Sequence, residues 1–268
     1  MSDKIRVTFW HEFRHEKTDE AVRNIYPDGI HSLVAGFLNE EPDIEAQYVS
    51  LDDPEQGLTE ELLNSTDVLI WWGHMAHGEV SDELVTKIQR RVLLGRMSFI
   101  ALHSAHHSKP FRAIVGTTGN LTWGREQREI MWNMLPTHPI AEGIPQSFFI
   151  ESEELYAEPF FVPQPTELIF GSWYEDGYIF RSGMTYLRDA GKVFYFQPGH
   201  ETCPSFHNPY VQRIITNAVH WAKPVRPGYD IQDLCPHPVY NYDEIAENGK
   251  LKKNHCLPVE RELNIKLK

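Results

Sequence analysis

Residues 68–77 read VLIWWGHMAH: five apolar residues in a row, a glycine, and two histidines three positions apart. A strand with one wet face alternates apolar and polar residues, so an unbroken apolar run of this length predicts a strand covered on both faces. The same unit lies on either side of it. Upstream, residues 5–10 (IRVTFW) run into His11, and downstream, residues 98–102 (SFIAL) run into His103. Amphipathic stretches fill the gaps. After Pro27-Asp28-Gly29, the residues Ile30, Leu33, Val34, Phe37 and Leu38 fall on one helical stripe. Ser81 followed by Asp82 and Glu83 reads as a helix start, with Leu84, Val85, Ile88, Val92 and Leu93 on one face. Residues 44–51 give an alternating strand, and Thr59 is placed to cap a short helix. This order predicts an α/β fold: a doubly wound, mostly parallel, flavodoxin-like sheet with right-handed crossovers.

Beyond residue 120 the pattern changes. The short runs FFI, ELIFGSW, YIFRSG and MTYL, separated by proline- and glycine-containing turns, predict antiparallel hairpins added to the sheet. Residues 192–197 (KVFYFQ) return as a core strand. Residues 209–221 carry Val211, Ile214, Ile215, Ala218 and Val219 on one face and read as a helix ended by Pro224. Residues 224–268 hold five prolines and no long apolar face. The expected organisation is therefore an α/β domain over 1–223 and a C-terminal arm over 224–268, with homo-oligomer contact through the arm.

Composition excludes several classes. The 268 residues carry 25 basic and 38 acidic side chains, a net charge of −13, which argues against nucleic acid as a partner. No apolar stretch reaches the roughly 18 residues of a transmembrane helix, and the first residues have no signal-peptide layout. Cys203, Cys235 and Cys256 are too few and too odd in number for a disulfide framework, so the expected compartment is the cytoplasm. Neither G-x-G-x-x-G after the first strand nor G-x-x-x-x-G-K-[ST] occurs, so no nucleotide cofactor is expected.

The 14 histidines point to a place. Open α/β sheets bind ligands beyond the carboxyl ends of their strands. His11, His15, His74, His77, His103, His106, His107 and His200 all follow predicted core strands. A metal reading takes His15, His74 and His77 as ligands of a divalent ion, zinc or manganese, that polarises a carbonyl or activates water. Proton transfer uses His103 and His200 with Glu201. The bland alternative is that these rings simply bond backbone in loops. Spacings around Cys203–His207, Cys235–His237 and His255–Cys256 match no standard zinc finger. Glu151, Glu153, Glu154 and Glu158 cluster around Tyr156 and read either as a solvated face or as acceptors for sugar hydroxyls. Trp10, Trp71 and Trp72 end strands, while Trp123 and Trp173 are expected in loops; such rings stack on sugars when exposed and pack in cores otherwise. On this reading Trp72, Glu154, Tyr156 and Glu158 face the substrate.

The segments WHEFRHEK (10–17), YPDGIH (26–31), WWGHMAHGEV (71–80), ALHSAHHS (101–108), THPI (137–140), ESEELYAE (151–158) and FYFQPGHETCPSFHNP (194–209) together resemble the ThuA, or trehalose-utilisation, family. The resemblance spans roughly residues 4–223. It implies a fold similar to class I glutamine amidotransferases and a role in catabolism of a disaccharide, trehalose or its keto derivative. The amidotransferase pattern itself fails here. The elbow stretch Leu102-His103-Ser104-Ala105-His106 has no cysteine and no flanking glycine, and His200 is followed directly by Glu201. Without a thiolate, thioester chemistry has no nucleophile, and Ser104 replaces it only with an adjacent base. Two readings follow: an enzyme acting on a disaccharide or keto-sugar, or a non-catalytic sugar-binding or sensing protein on a disabled amidotransferase scaffold.

Overall fold

The computed structural model describes residues 4–225. All but the first two residues of the arm, with Cys235, His237, His255, Cys256 and the oligomer contact expected there, lie outside the described residues. In chain order the elements are β1 (Ile5–His11), α1 (His15–Thr18), α2 (Glu20–Ile25), α3 (Ile30–Leu38), β2 (Ile44–Ser50), α4 (Glu60–Ser65), β3 (Val68–Trp72) and α5 (Asp82–Leu93). There follow β4 (Ser98–Leu102), α6 (Lys109–Val115), β5 (Thr122–Asn133), β6 (Ser147–Ala157), β7 (Glu167–Tyr174), β8 (Ile179–Arg188), β9 (Gly191–Phe196) and α7 (Pro209–Ala222). The predicted caps form: Ser81 Oγ accepts the Leu84 amide at 3.3 Å, and Thr59 Oγ1 accepts that of Leu62 at 3.2 Å.

One sheet runs in the order β2-β1-β3-β4-β9-β8-β7-β5-β6. The first five strands are parallel neighbours, and the last four join β9 through antiparallel pairings. Successive residues of β3 explain the unbroken apolar run. Val68, Ile70 and Trp72 pack with Ile30 and Val34 of α3 and Ile214 and Ala218 of α7. Leu69 and Trp71 pack on the other face with Leu63 of α4, Ile88 of α5 and Phe111 of α6. Each such side chain contributes about 1.5–3 kcal/mol by leaving water, so neither face can be given up. Trp10 and Trp71 stack with centroids 3.7 Å apart.

The sequence reading departs from the structure where polar residues point inward. Residues 122–133 form a twelve-residue strand that periodicity did not reveal, because two of its inward residues are Gln127 and Glu129. YIFRSG and MTYL belong to a single strand, β8, and Trp123 and Trp173 lie on β5 and β7, not in loops. The polar stretch after β1 contains the short helices α1 and α2. Among the described residues no helix is long and apolar enough to cross a membrane.

Candidate functional site

Strand order reverses at β1, which sits between β2 and β3, so a crevice opens beyond the carboxyl ends of β1 and β3. Four chain segments meet there: the turn after β1 with α1, the loop after β3, the elbow after β4, and the loop after β9. Strand β6 supplies carboxylates from the side.

Two fully buried carboxylates build these loops. Glu12 accepts the amides of Met75 and Ala76, each at 2.9 Å, and so ties the His74 loop to β1. Glu153 accepts the amides of Gly199 at 2.7 Å, His200 at 3.1 Å and Glu154 at 2.9 Å, and the Ser205 hydroxyl at 2.5 Å. Burial raises the Glu153 carboxyl against the pull of nearby His103 and these donors. Gly199 has φ +133, and a Cβ there would run into the Phe206 ring. Its carbonyl accepts the Trp72 indole N–H at 2.9 Å.

Glu201 is the hub. Its carboxylate lies 2.9 Å from His74 Nδ1 and 3.2 Å from His15 Nε2. Burial works against its charge, but His74, His200 and His15 overcome that and hold its carboxyl down at about 2. The His200 ring stands 5.3 Å from both the His74 and His103 rings. Burial and the neighbouring His103 push His200 down to about 4, so it is uncharged at neutral pH.

His103 occupies the elbow after β4 with φ +51, a left-handed conformation that costs a non-glycine residue about 1–3 kcal/mol. Its Nδ1–H donates to the Gln197 carbonyl at 2.9 Å, while Nε2 lies 3.1 Å from Glu154 and 3.2 Å from the Tyr156 hydroxyl. Burial opposes its charge, yet Glu154 and Glu153 outweigh burial and raise the imidazole to about 9. Burial likewise opposes the charge of Glu154, and His103 holds its carboxyl below the ordinary value. The site thus sets a buried imidazolium–carboxylate pair beside an uncharged imidazole.

His15, His74, His103, His200, Glu154 and Glu201 come together as expected; four sequence-based assignments change. His77 lies apart from His15 and His74: it begins a tight turn, its ring faces His107 at 6.5 Å, and burial with His107 pushes it to about 4. The residue that lies beside His15 and His74 is Glu201. Glu158 is engaged elsewhere, by Arg181 at 2.7 and 3.0 Å. Trp72 is fully buried, stacked flat on His11 at 4.7 Å, so it walls the site and presents no face to a sugar. Tyr156 is buried against His103 with centroids 4.9 Å apart, which makes it a support for that ring. Ser104 donates to the Gly73 carbonyl at 2.7 Å, and His106 Nδ1 bonds that of Gly119 at 2.7 Å. Glu12 and Glu153 escaped assignment in the sequence because they bind backbone amides, a role with no spacing signature.

Another group, His11, Glu16 and His31, brings its side-chain atoms within 4.8 Å of one another. The Phe13 amide donates to His11 Nδ1 at 2.8 Å, which leaves the proton of the neutral ring on Nε2, 3.2 Å from Glu16. A proton on that nitrogen suits hydrogen bonding and not ligation.

The strand order and the rim position of this cluster define a doubly wound α/β protein, with His103 at the strand-to-helix elbow. The family model for ThuA, trehalose utilisation, matches residues 6–222, and the chain belongs to that family. Membership supports a role in disaccharide utilisation. Among solved structures, a ThuA-like protein from Parabacteroides merdae is similar with a TM-score of 0.65 and 12% identity, over 84% of this chain and 93% of that one. A ThuA-like protein from Bacteroides uniformis follows at 0.60 and 13%, over 83% and 93%. A cytoplasmic protein from Salmonella typhimurium is similar at 0.53 and 12%, over 82% and 99%. At these identities the likeness concerns fold alone. No curated protein sequence matches the chain significantly.

Proposed function

We propose that the chain is an enzyme that moves protons on a disaccharide or its keto derivative, with a divalent ion, zinc or manganese, held by His15, His74 and Glu201. The observation that carries this reading is the convergence of His15, His74, His103 and His200 with Glu154 and Glu201 at the carboxyl rim of the sheet. The donor set fits such an ion. Atoms bonded to zinc at about 2.0–2.1 Å in a tetrahedral shell stand about 3.3 Å apart, and Glu201 Oε1 lies 3.1 Å from His74 Nδ1 and 3.2 Å from His15 Nε2. His15 Nδ1 is buried without a hydrogen bond, and the nearest carboxylate, Glu12, stands 4.0 Å away.

A bound ion would polarise a carbonyl or lower the pKa of a water. The protein's own groups do the rest. Glu201 fixes the orientation of His15 and His74. His200, uncharged near neutrality, is placed to accept a proton from the sugar. The His103–Glu154 pair is placed to return one to an oxygen, through Glu154, whose side chain is the less buried of the two. Trp72 and Tyr156 keep water from the back of the site. Glutaminase chemistry has no support, since the elbow residue is His103 and the buried Cys203 lies on another loop.

The test is incubation of trehalose and 3-keto-trehalose with zinc- or manganese-loaded protein in D2O, followed by NMR. Turnover, or exchange of deuterium into the carbon beside the carbonyl, is expected, and His103→Asn and His200→Asn should each slow it by about 100-fold or more. Failure of the wild type to consume or exchange either sugar would overturn the proposal.

A further inference from the structure

With Trp72 and Tyr156 buried, the site needs another aromatic surface if it is to hold a sugar ring, and strand β5 carries one. In the antiparallel register of β5 and β6, Trp123 is paired with Tyr156 and Glu126 with Glu154. Directly paired residues project from the same face of the sheet, with Cβ atoms about 4.5–5.5 Å apart. Tyr156 and Glu154 are the β6 side chains that meet His103 at its Nε2. A register shift between Gly124 and Glu126 takes up Arg125 as the extra residue, so Trp123 and Glu126 remain on that face despite their odd spacing. The position of Glu126 confirms the direction: its carboxylate accepts the Thr202 hydroxyl, and Thr202 in turn bonds His200 Nδ1 at 2.8 Å.

Trp123 itself is 69% exposed, the most exposed tryptophan among the described residues. An indole left this open gains little for the fold, whereas one beside a polar cleft offers a flat apolar face to the C–H side of a pyranose while neighbouring carboxylates take its hydroxyls.

We propose that Trp123 and Glu126 form the outer sugar subsite of the cleft, with Trp123 stacking on one pyranose ring of the disaccharide and Glu126 accepting its hydroxyls. This rests on the functional reading above and adds to it the residues that hold the sugar unit away from His200 and Glu201. Trp123 is a binding residue and takes no part in proton transfer. Its loss therefore acts on sugar affinity and KM, with kcat at saturation nearly unchanged.

The experiment is calorimetric titration of zinc-loaded protein with trehalose and with 3-keto-trehalose, for the wild type, Trp123→Ala, Trp123→Phe and Trp173→Ala. Trp173 is also exposed, at 51%, but it is paired with Ile130 and Ile179, away from the site residues. Loss of one stacked ring should weaken binding by about tenfold in Trp123→Ala, with Trp123→Phe within about threefold of wild type. Trp173→Ala should bind like the wild type and controls for general loss of surface indole. Wild-type affinity in Trp123→Ala, while the wild type itself binds sugar, overturns the subsite and leaves the proposed function standing. If the wild type binds neither sugar, both fall.

Discussion

Glu129 lies on β5 with none of its surface exposed, bonded to Ser172, which bonds Ser182 in turn. Burial above all, and then the charge of Glu153, push its carboxyl from the ordinary 4.5 up to about 8. Between these two values the folded protein keeps a proton that the unfolded chain has already released. Stability must therefore fall as pH rises, by about 1.4 kcal/mol per unit, beginning at the unfolded value and ending at the folded one. The accumulated loss is ~3 kcal/mol at pH 7 and on the order of 4–5 kcal/mol above pH 8. Glutamine copies the neutral carboxyl, its amide oxygen still accepting the Ser172 hydroxyl, and does not titrate. Glu129→Gln should then match the wild type near pH 4.5 and exceed it by those amounts at pH 7 and pH 8.5. Urea unfolding of both proteins at the three pH values measures the difference directly, since other titrating groups cancel in the comparison. A difference that does not change with pH, or a variant less stable than wild type at pH 8.5, would refute the reasoning.

Other outcomes follow from the loops that build the site. Glu12→Ala removes the acceptor for two backbone amides, that of Ala76 buried, and should cost about 3 kcal/mol in urea unfolding, given about 1.5–3 kcal/mol for each bond to a charged group. Gly199→Ala meets both the positive φ and the Phe206 ring, so a loss of about 2 kcal/mol or more is expected, with partial recovery when Phe206 is shortened to Leu. Glu154→Gln should abolish sugar turnover, whereas Glu158→Gln, which loosens the contacts of Glu158 with Arg181 and the Phe160 amide, should leave it within about twofold. Equal losses in these two would contradict the separation of Glu158 from the site.

The parallel half of the fold was legible because its physics is simple. The runs at β1, β3 and β4 are largely buried on both faces, and their ends mark the rim, so eight histidines pointed to one edge. The assignments that failed share a cause. His74 and His77 are close in sequence, but the chain between them is not a regular helix, so spacing did not put their rings together. Glu201 reached the pair from the far end of the chain, through a loop shaped by Glu153 and Gly199. Strand β5 was hidden by buried Gln127 and Glu129, and with it the register that sets Trp123 and Glu126 beside the site. The elbow sequence lacked a cysteine and left Ser104 as a replacement only with an adjacent base; the left-handed residue is His103, and only backbone dihedrals reveal that.

The most direct test of the central claim is the metal content, by elemental analysis, of tag-free protein equilibrated with zinc or manganese at neutral pH. With His15, His74 and Glu201 as ligands, the wild type and His77→Ala should each retain one ion that Glu201→Ala and His74→Ala lose. A wild type that retains none, or a His77→Ala protein that loses its ion as fully as Glu201→Ala, would contradict the account.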